Sequence, residues 1–109
     1  MKVGIIGGAF VPVEKLSEFY VPQNCELLVR GDTELGKKVV EYAKSRNLVV
    51  SFYMPDSSLY GKGAGVMCDT EIVNSADVII IYCSSKGDGY SSFYDYCRRL
   101  GKEVSIIYF

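Results

Sequence analysis

Histidine is absent from this chain, and the four cysteines, Cys25, Cys68, Cys83 and Cys97, are widely spaced with no C-x-x-C pair. Together these two absences leave no ligand pattern for a zinc site, and no metal is expected. An excess of charge is lacking too. Twelve basic and thirteen acidic residues give a net charge of −1, without the basic field that nucleic-acid binding requires, so no nucleic-acid partner is expected. The densest basic cluster, Arg98-Arg99 with Lys102, reads as a solvated turn at the end of a helix. No segment approaches the roughly 20 apolar residues of a membrane span. The opening Met1-Lys2-Val3-Gly4-Ile5-Ile6-Gly7-Gly8 is too short and glycine-rich for a signal-peptide core. The expected compartment is therefore the reducing cytoplasm, where thiols such as Cys83 and Cys97 serve as small core residues.

Tryptophan is also missing, yet nine tyrosines and five phenylalanines are present. Such rings either roof a core or form an interface, and a homo-oligomer is expected. With 109 residues, 49% of them hydrophobic, the chain has material for one core, and residues 1–109 read as a single domain.

Five short runs rich in β-branched residues stand out: Val3–Ile6, Leu27–Val29, Leu48–Tyr53, Val78–Tyr82 and Val104–Tyr108. The fourth has no polar alternation, which suits a strand buried on both faces. Helical spacing separates them. Leu35, Val39, Tyr42 and Ala43 recur at three- and four-residue steps behind an Asp32-Thr33 N-cap. A second helix is predicted from about Lys62 to Ser75 with Met67, Ile72 and Val73 inward. A third carries Phe93, Tyr96, Cys97 and Leu100 and is closed by Gly101. Strict alternation of strand and helix predicts a three-layer, Rossmann-like α/β domain. Its sheet is mostly parallel, of about five strands in the order 3-2-1-4-5, with helices on both faces.

In such sheets ligands bind at the carboxyl ends of the strands. Three loops are expected there: Gly7-Gly8-Ala9-Phe10, Arg30-Gly31-Asp32-Thr33, and Ser84-Ser85-Lys86-Gly87-Asp88-Gly89-Tyr90-Ser91-Ser92; the residues taken for the ligand site are Gly7, Gly8, Ala9, Phe10, Arg30, Gly31, Ser84, Ser85, Lys86, Gly87, Gly89, Tyr90 and Ser91. In the third, glycines and a following helix N-terminus offer amides to an anion, and Lys86 adds a charge. Asp88 weakens that reading, and the loop also reads as a plain solvent-exposed turn. Arg30 reads either as a guanidinium for a phosphate or carboxylate, or as a loop brace pairing with Asp32 or Glu34. Asp69, Glu71 and Asp77 read as helix surface and turn. From Gly4 the spacing is G-x-x-G-G-A rather than G-x-G-x-x-G, and no acidic residue closes the second strand in the right context. NAD is therefore not expected, and no cofactor is assigned.

The run Tyr60-Gly61-Lys62-Gly63-Ala64-Gly65, then Ile72-Val73-Asn74-Ser75-Ala76-Asp77-Val78-Ile79-Ile80, the Gly87–Ser92 loop and Gly101-Lys102-Glu103-Val104 resemble the small single-domain branch of the SLOG superfamily. That superfamily gathers the LOG phosphoribohydrolases, the lysine-decarboxylase-like proteins and DprA-type domains. The resemblance implies a Rossmann-like fold with a pocket for nucleotides or nucleotide-derived signals. It does not carry over catalysis. The family's arginine-lysine or arginine-asparagine pair falls on Cys68-Asp69, and its P-G-G-x-G-T-x-x-E loop has neither its proline nor its glutamate here. No catalytic residue is assigned. Three functions remain open: a non-catalytic nucleotide-binding or sensing domain; an N-glycosidic hydrolase of nucleoside 5′-monophosphates using Asp88 or Asp95; and an assembly module with Tyr90, Phe93, Tyr94 and Tyr96 on a dimer face.

Overall fold

A computed structural model describes residues 1–7, 24–85, 87 and 89–109. The apolar runs form five strands: β1 (Lys2–Gly7), β2 (Glu26–Arg30), β3 (Val49–Tyr53), β4 (Val78–Cys83) and β5 (Glu103–Tyr108). They make one all-parallel sheet in the order β3-β2-β1-β4-β5. This is the fold that the alternation of strand and helix predicts.

The helices are α1 (Glu34–Arg46), the short α2 (Ser57–Tyr60) followed by a 3-10 turn at Gly61–Gly63, α3 (Ala64–Ser75) and α4 (Ser91–Arg99). On one face of the sheet, Leu35, Val39 and Ala43 of α1 pack on Val3, Ile5, Leu27, Val29, Ile80 and Tyr82. On the other, Ile72 and Val73 of α3 and Cys97 of α4 pack on Ile6, Leu28, Ile79, Ile81 and Cys83. Three layers result. β4 sits between β1 and β5 with alternate residues in both cores, which is why it shows no polar alternation. Fully burying one such isoleucine contributes about 1.5–3 kcal/mol.

Local chemistry sets the helix ends. The Thr33 hydroxyl accepts from the Gly36 amide at 3.0 Å, making Thr33 the N-cap of α1, and Asn47 leaves the helix with φ 55°. After α4, Gly101 (φ 73°) donates its amide to Arg98 while Lys102 donates to Cys97, the paired bonds of a left-handed glycine cap.

Three expectations are corrected. Met67 and Leu100 lie largely in solvent; Cys68 and Asp69 take the inward stripe of α3, and Cys97 alone is fully buried on α4. Lys102 is not a solvated partner of Arg98 and Arg99. Its ammonium folds over the end of α3 and donates to the carbonyls of Val73, Asn74 and Ala76 at 2.9, 2.8 and 2.7 Å. The third concerns Asp69: with Glu71 and Asp77 it reads as surface, but it is 2% exposed while both of those are open to solvent. Among the described residues no helix is long and apolar enough to cross a membrane.

Candidate functional site

In a parallel sheet the helix that leads into a strand begins at that sheet's carboxyl edge. The N-terminal halves of α3 and α4 therefore meet at this edge, on the same face. Between them lies a cleft of about 550 Å³, inside the range of small-molecule sites. Its walls are Gly65, Val66 and Thr70 of α3 and Ser92, Phe93 and Tyr96 of α4, with Gly89 and Tyr90 at one end. Lys62 and Arg99 stand at the rim, and both are exposed. The rings of Tyr90 and Phe93 stack with centroids 5.8 Å apart.

Arg30 and Asp69 also line the cleft and form its floor. Arg30, the last residue of β2, donates from Nε to Asp32 Oδ1 at 3.0 Å and from Nη2 to Asp32 Oδ2 at 2.8 Å. Its Nη1 reaches Asp69 Oδ2 at 3.4 Å, and the same carboxylate oxygen accepts the Tyr90 hydroxyl at 2.9 Å. The brace reading of Arg30 is the one the geometry bears out, with Asp32 as partner; Glu34 pairs instead with Lys37. The guanidinium lies flat against α3 where a side chain is absent. A Cβ on Gly65 would sit 3.1 Å from Nη1 and 3.3 Å from Nη2.

The two carboxyls around Arg30 are shifted in opposite directions. The hydrogen bond from Arg30 holds Asp32 below the usual carboxylate range. Burial pushes Asp69 above it, against the pull of Tyr90 and Arg30. Arg30 is raised chiefly by its bond to Asp32, and Tyr90 chiefly by burial, so neither is poised to exchange a proton near neutrality. Burial also lifts the Cys68 thiol to about 11, which keeps it protonated and unreactive. Asp69 Oδ1 is buried and, among the described residues, accepts no hydrogen bond. An unmet buried acceptor costs about 1–3 kcal/mol, and native interiors hold few of them.

Of the residues singled out by sequence, Arg30, Gly89 and Tyr90 come together at this cleft. Gly31, Ser84, Ser85, Gly87 and Ser91 are not among its described lining residues, and three of them have their amides engaged elsewhere, Gly31 donating to the Tyr53 carbonyl at 3.0 Å. Ser85 donates to the Phe109 carbonyl at 2.8 Å and Gly87 to the Ser84 carbonyl at 2.9 Å. Gly7 belongs to β1 itself rather than to a loop. It is buried where a Cβ would come 2.6 Å from the Tyr82 carbonyl oxygen, so close strand packing accounts for it. Gly8, Ala9, Phe10, Lys86 and Asp88 lie outside the described residues.

Asp69, Lys62 and Phe93 are among the site residues that reading the loops alone misses. Asp69 carried one signal: it follows Gly65 by four positions, which places it on the same helical face as the glycine that admits Arg30. Comparison with family models, with curated proteins and with solved structures found no match for this chain.

Proposed function

We propose that this domain binds a nucleotide or nucleotide-derived ligand in the cleft between α3 and α4, without transforming it. The observation that carries the proposal is the combination within one cavity of a flat aromatic wall, two rim cations and a helix start lacking a side-chain cap. Phe93, Tyr90 and Tyr96 line the cleft with aromatic surface suited to a planar ring. Lys62 and Arg99 make no ion pair within the described residues and offer charge to a phosphate. At the N-cap Gly63 no side chain bonds the first amides of α3; the Ala64 amide donates to the Gly61 carbonyl of the preceding turn, and Gly65 and Val66 of the first turn line the cleft.

This arrangement favours an anion site at the start of α3 over one on the loop after β4. The stretch concerned, Tyr60–Gly65, opens the part of the chain, from Tyr60 onward, where the resemblance to the SLOG superfamily is strongest, and membership of that superfamily is part of the proposal. So are a cytoplasmic setting, which suits four buried cysteine thiols, and self-association. Catalysis is not part of the proposal: among the described lining residues the one carboxylate is Asp69, which is buried. Asp69 is tied to Arg30 and Tyr90, and Asp95 is exposed on α4.

A thermal-shift screen against mononucleotides, cyclic nucleotides and ADP-ribose tests the proposal. A ligand present at 100 times its Kd adds about 2.7 kcal/mol of stability. In a domain of this size that raises Tm on the order of 10 °C. No shift with any of the three classes refutes it.

A further inference from the structure

β3 is an edge of the sheet, and its outer side pairs with no described strand. We infer that a second copy of this chain pairs there, β3 against β3 and antiparallel, about a two-fold axis at Ser51. The inference rests on the self-association proposed above and names the surface that carries it.

The backbone of β3 is ready for such a neighbour. The Gly31 amide donates to the Tyr53 carbonyl at 3.0 Å, so Tyr53, and with it Ser51 and Val49, turn their amides and carbonyls toward β2. Val50 and Phe52 turn theirs outward. An antiparallel copy centred on Ser51 sets Val50 opposite Phe52 of the second copy, and the two residues exchange both of their backbone hydrogen bonds, once on each side of the axis.

The side chains repeat this symmetry. β3 reads Val49-Val50-Ser51-Phe52-Tyr53: β-branched residues, a serine, then aromatics. In the same register Val50 meets Phe52 on the α1 face and Val49 meets Tyr53 on the other, each an aromatic against a β-branched side chain, a pairing that stabilises sheets. Val49 is 64% exposed and Phe52 56%, so there is apolar surface to cover. Charge agrees as well. None lies between Leu48 and Pro55, while exposed Lys44 and Arg46 precede β3 and exposed Asp56 follows it. Antiparallel pairing sets the basic start of one strand beside the acidic end of the other. β5, the opposite edge, carries exposed Glu103, a charge of the kind that keeps edges apart. A two-fold pair also closes, because it consumes both β3 edges and leaves none for a further copy.

Sedimentation equilibrium of the whole chain, wild type and Phe52→Lys, tests this together with disulfide trapping of Ser51→Cys and Phe52→Cys under a mild oxidant. The expected wild-type mass is twice that of the chain, and Phe52→Lys sediments at the single-chain mass with unchanged circular dichroism. Opposed residues at the axis have Cα atoms about 4.5 Å apart, inside disulfide range, so Ser51→Cys is trapped as a dimer. The two Phe52 positions lie diagonally, beyond the roughly 7 Å limit, so Phe52→Cys is not. Wild type, whose own cysteines are buried, is the control. A wild-type dimer that Phe52→Lys leaves intact, or that Ser51→Cys traps no better than Phe52→Cys, overturns the inference while self-association stands. A wild type that sediments as a single chain overturns both. Should Phe52→Lys not fold, the trapping results decide.

Discussion

Arg30 shows how far one side chain's setting departs from what its neighbours in sequence suggest. Its partner Asp32 is two residues away, and that pairing is legible in the sequence as one of two options. Its contacts with Asp69 and Gly65 come from a helix more than thirty positions along and have no local signal. Because two carboxylates lean on it, Arg30→Met leaves Asp69 buried and uncompensated. Urea denaturation should show a loss of about 2–3 kcal/mol, below the full cost of breaking a buried pair because the guanidinium keeps some solvent contact. Adding Asp69→Asn to Arg30→Met should recover part of that loss, a coupling that a double-mutant cycle reads directly. The pH dependence follows from the opposite shifts. Asp32, held low by Arg30, stabilises the fold above the unfolded carboxylate value of about 3.9, and that contribution disappears as pH falls through its lowered value. Asp69 is raised by burial, so its cost is absent in acid and grows as pH rises through its folded value. Stability measured across pH should therefore show Asp32→Asn flattening the acid limb, and Asp69→Asn gaining on wild type toward neutrality.

At the scale of the elements, strands and caps were legible because their causes are local. Unbroken β-branched runs mark the strands, Thr33 caps α1, and Gly101 closes α4. The inward stripe of α3 was not, since Met67 and Asp69 trade places against hydrophobicity once Arg30 and Tyr90 supply polar partners for the aspartate. α2 was missed for a similar reason: four residues held by the Asp56 side chain, which accepts from Leu59 and Ser58, give no apolar period. Lys102 anchors one element to another. Removing its ammonium in Lys102→Met strands three carbonyls at the end of α3, and chemical denaturation should register about 2 kcal/mol of lost stability. Gly36 marks the tightest approach of α1 to β2, where a Cβ would overlap the Arg30 carbonyl oxygen. Gly36→Ala should accordingly cost about 3 kcal/mol despite alanine's better helix propensity, and it should shift Tm sharply downward.

For the molecule as a whole, the layer order and sheet topology follow from alternation and right-handed crossovers, rules that need no long-range contact to apply. The cleft does not follow from them. It depends on where two helices splay on one face, and pattern places residues on a face without saying how far apart two faces stand. The aromatic residues of α4 illustrate this. Tyr94 packs half-buried on the core, while Tyr90, Phe93 and Tyr96 do so and also line the cleft. Exposed apolar side chains lie instead along the β3 edge and beyond it, at Val49, Phe52, Met54 and Leu59. If the chain self-associates, as proposed, Phe52→Lys should shift light scattering toward the monomer. The account turns on the α3–α4 cleft as the place where a nucleotide sits, and titrating isotopically labelled protein with AMP while following backbone amide resonances examines that directly. Saturable shifts concentrated at Gly65, Val66, Thr70, Gly89, Ser92 and Phe93 are what the account predicts. Shifts confined to other surfaces, or none at millimolar AMP, would contradict it.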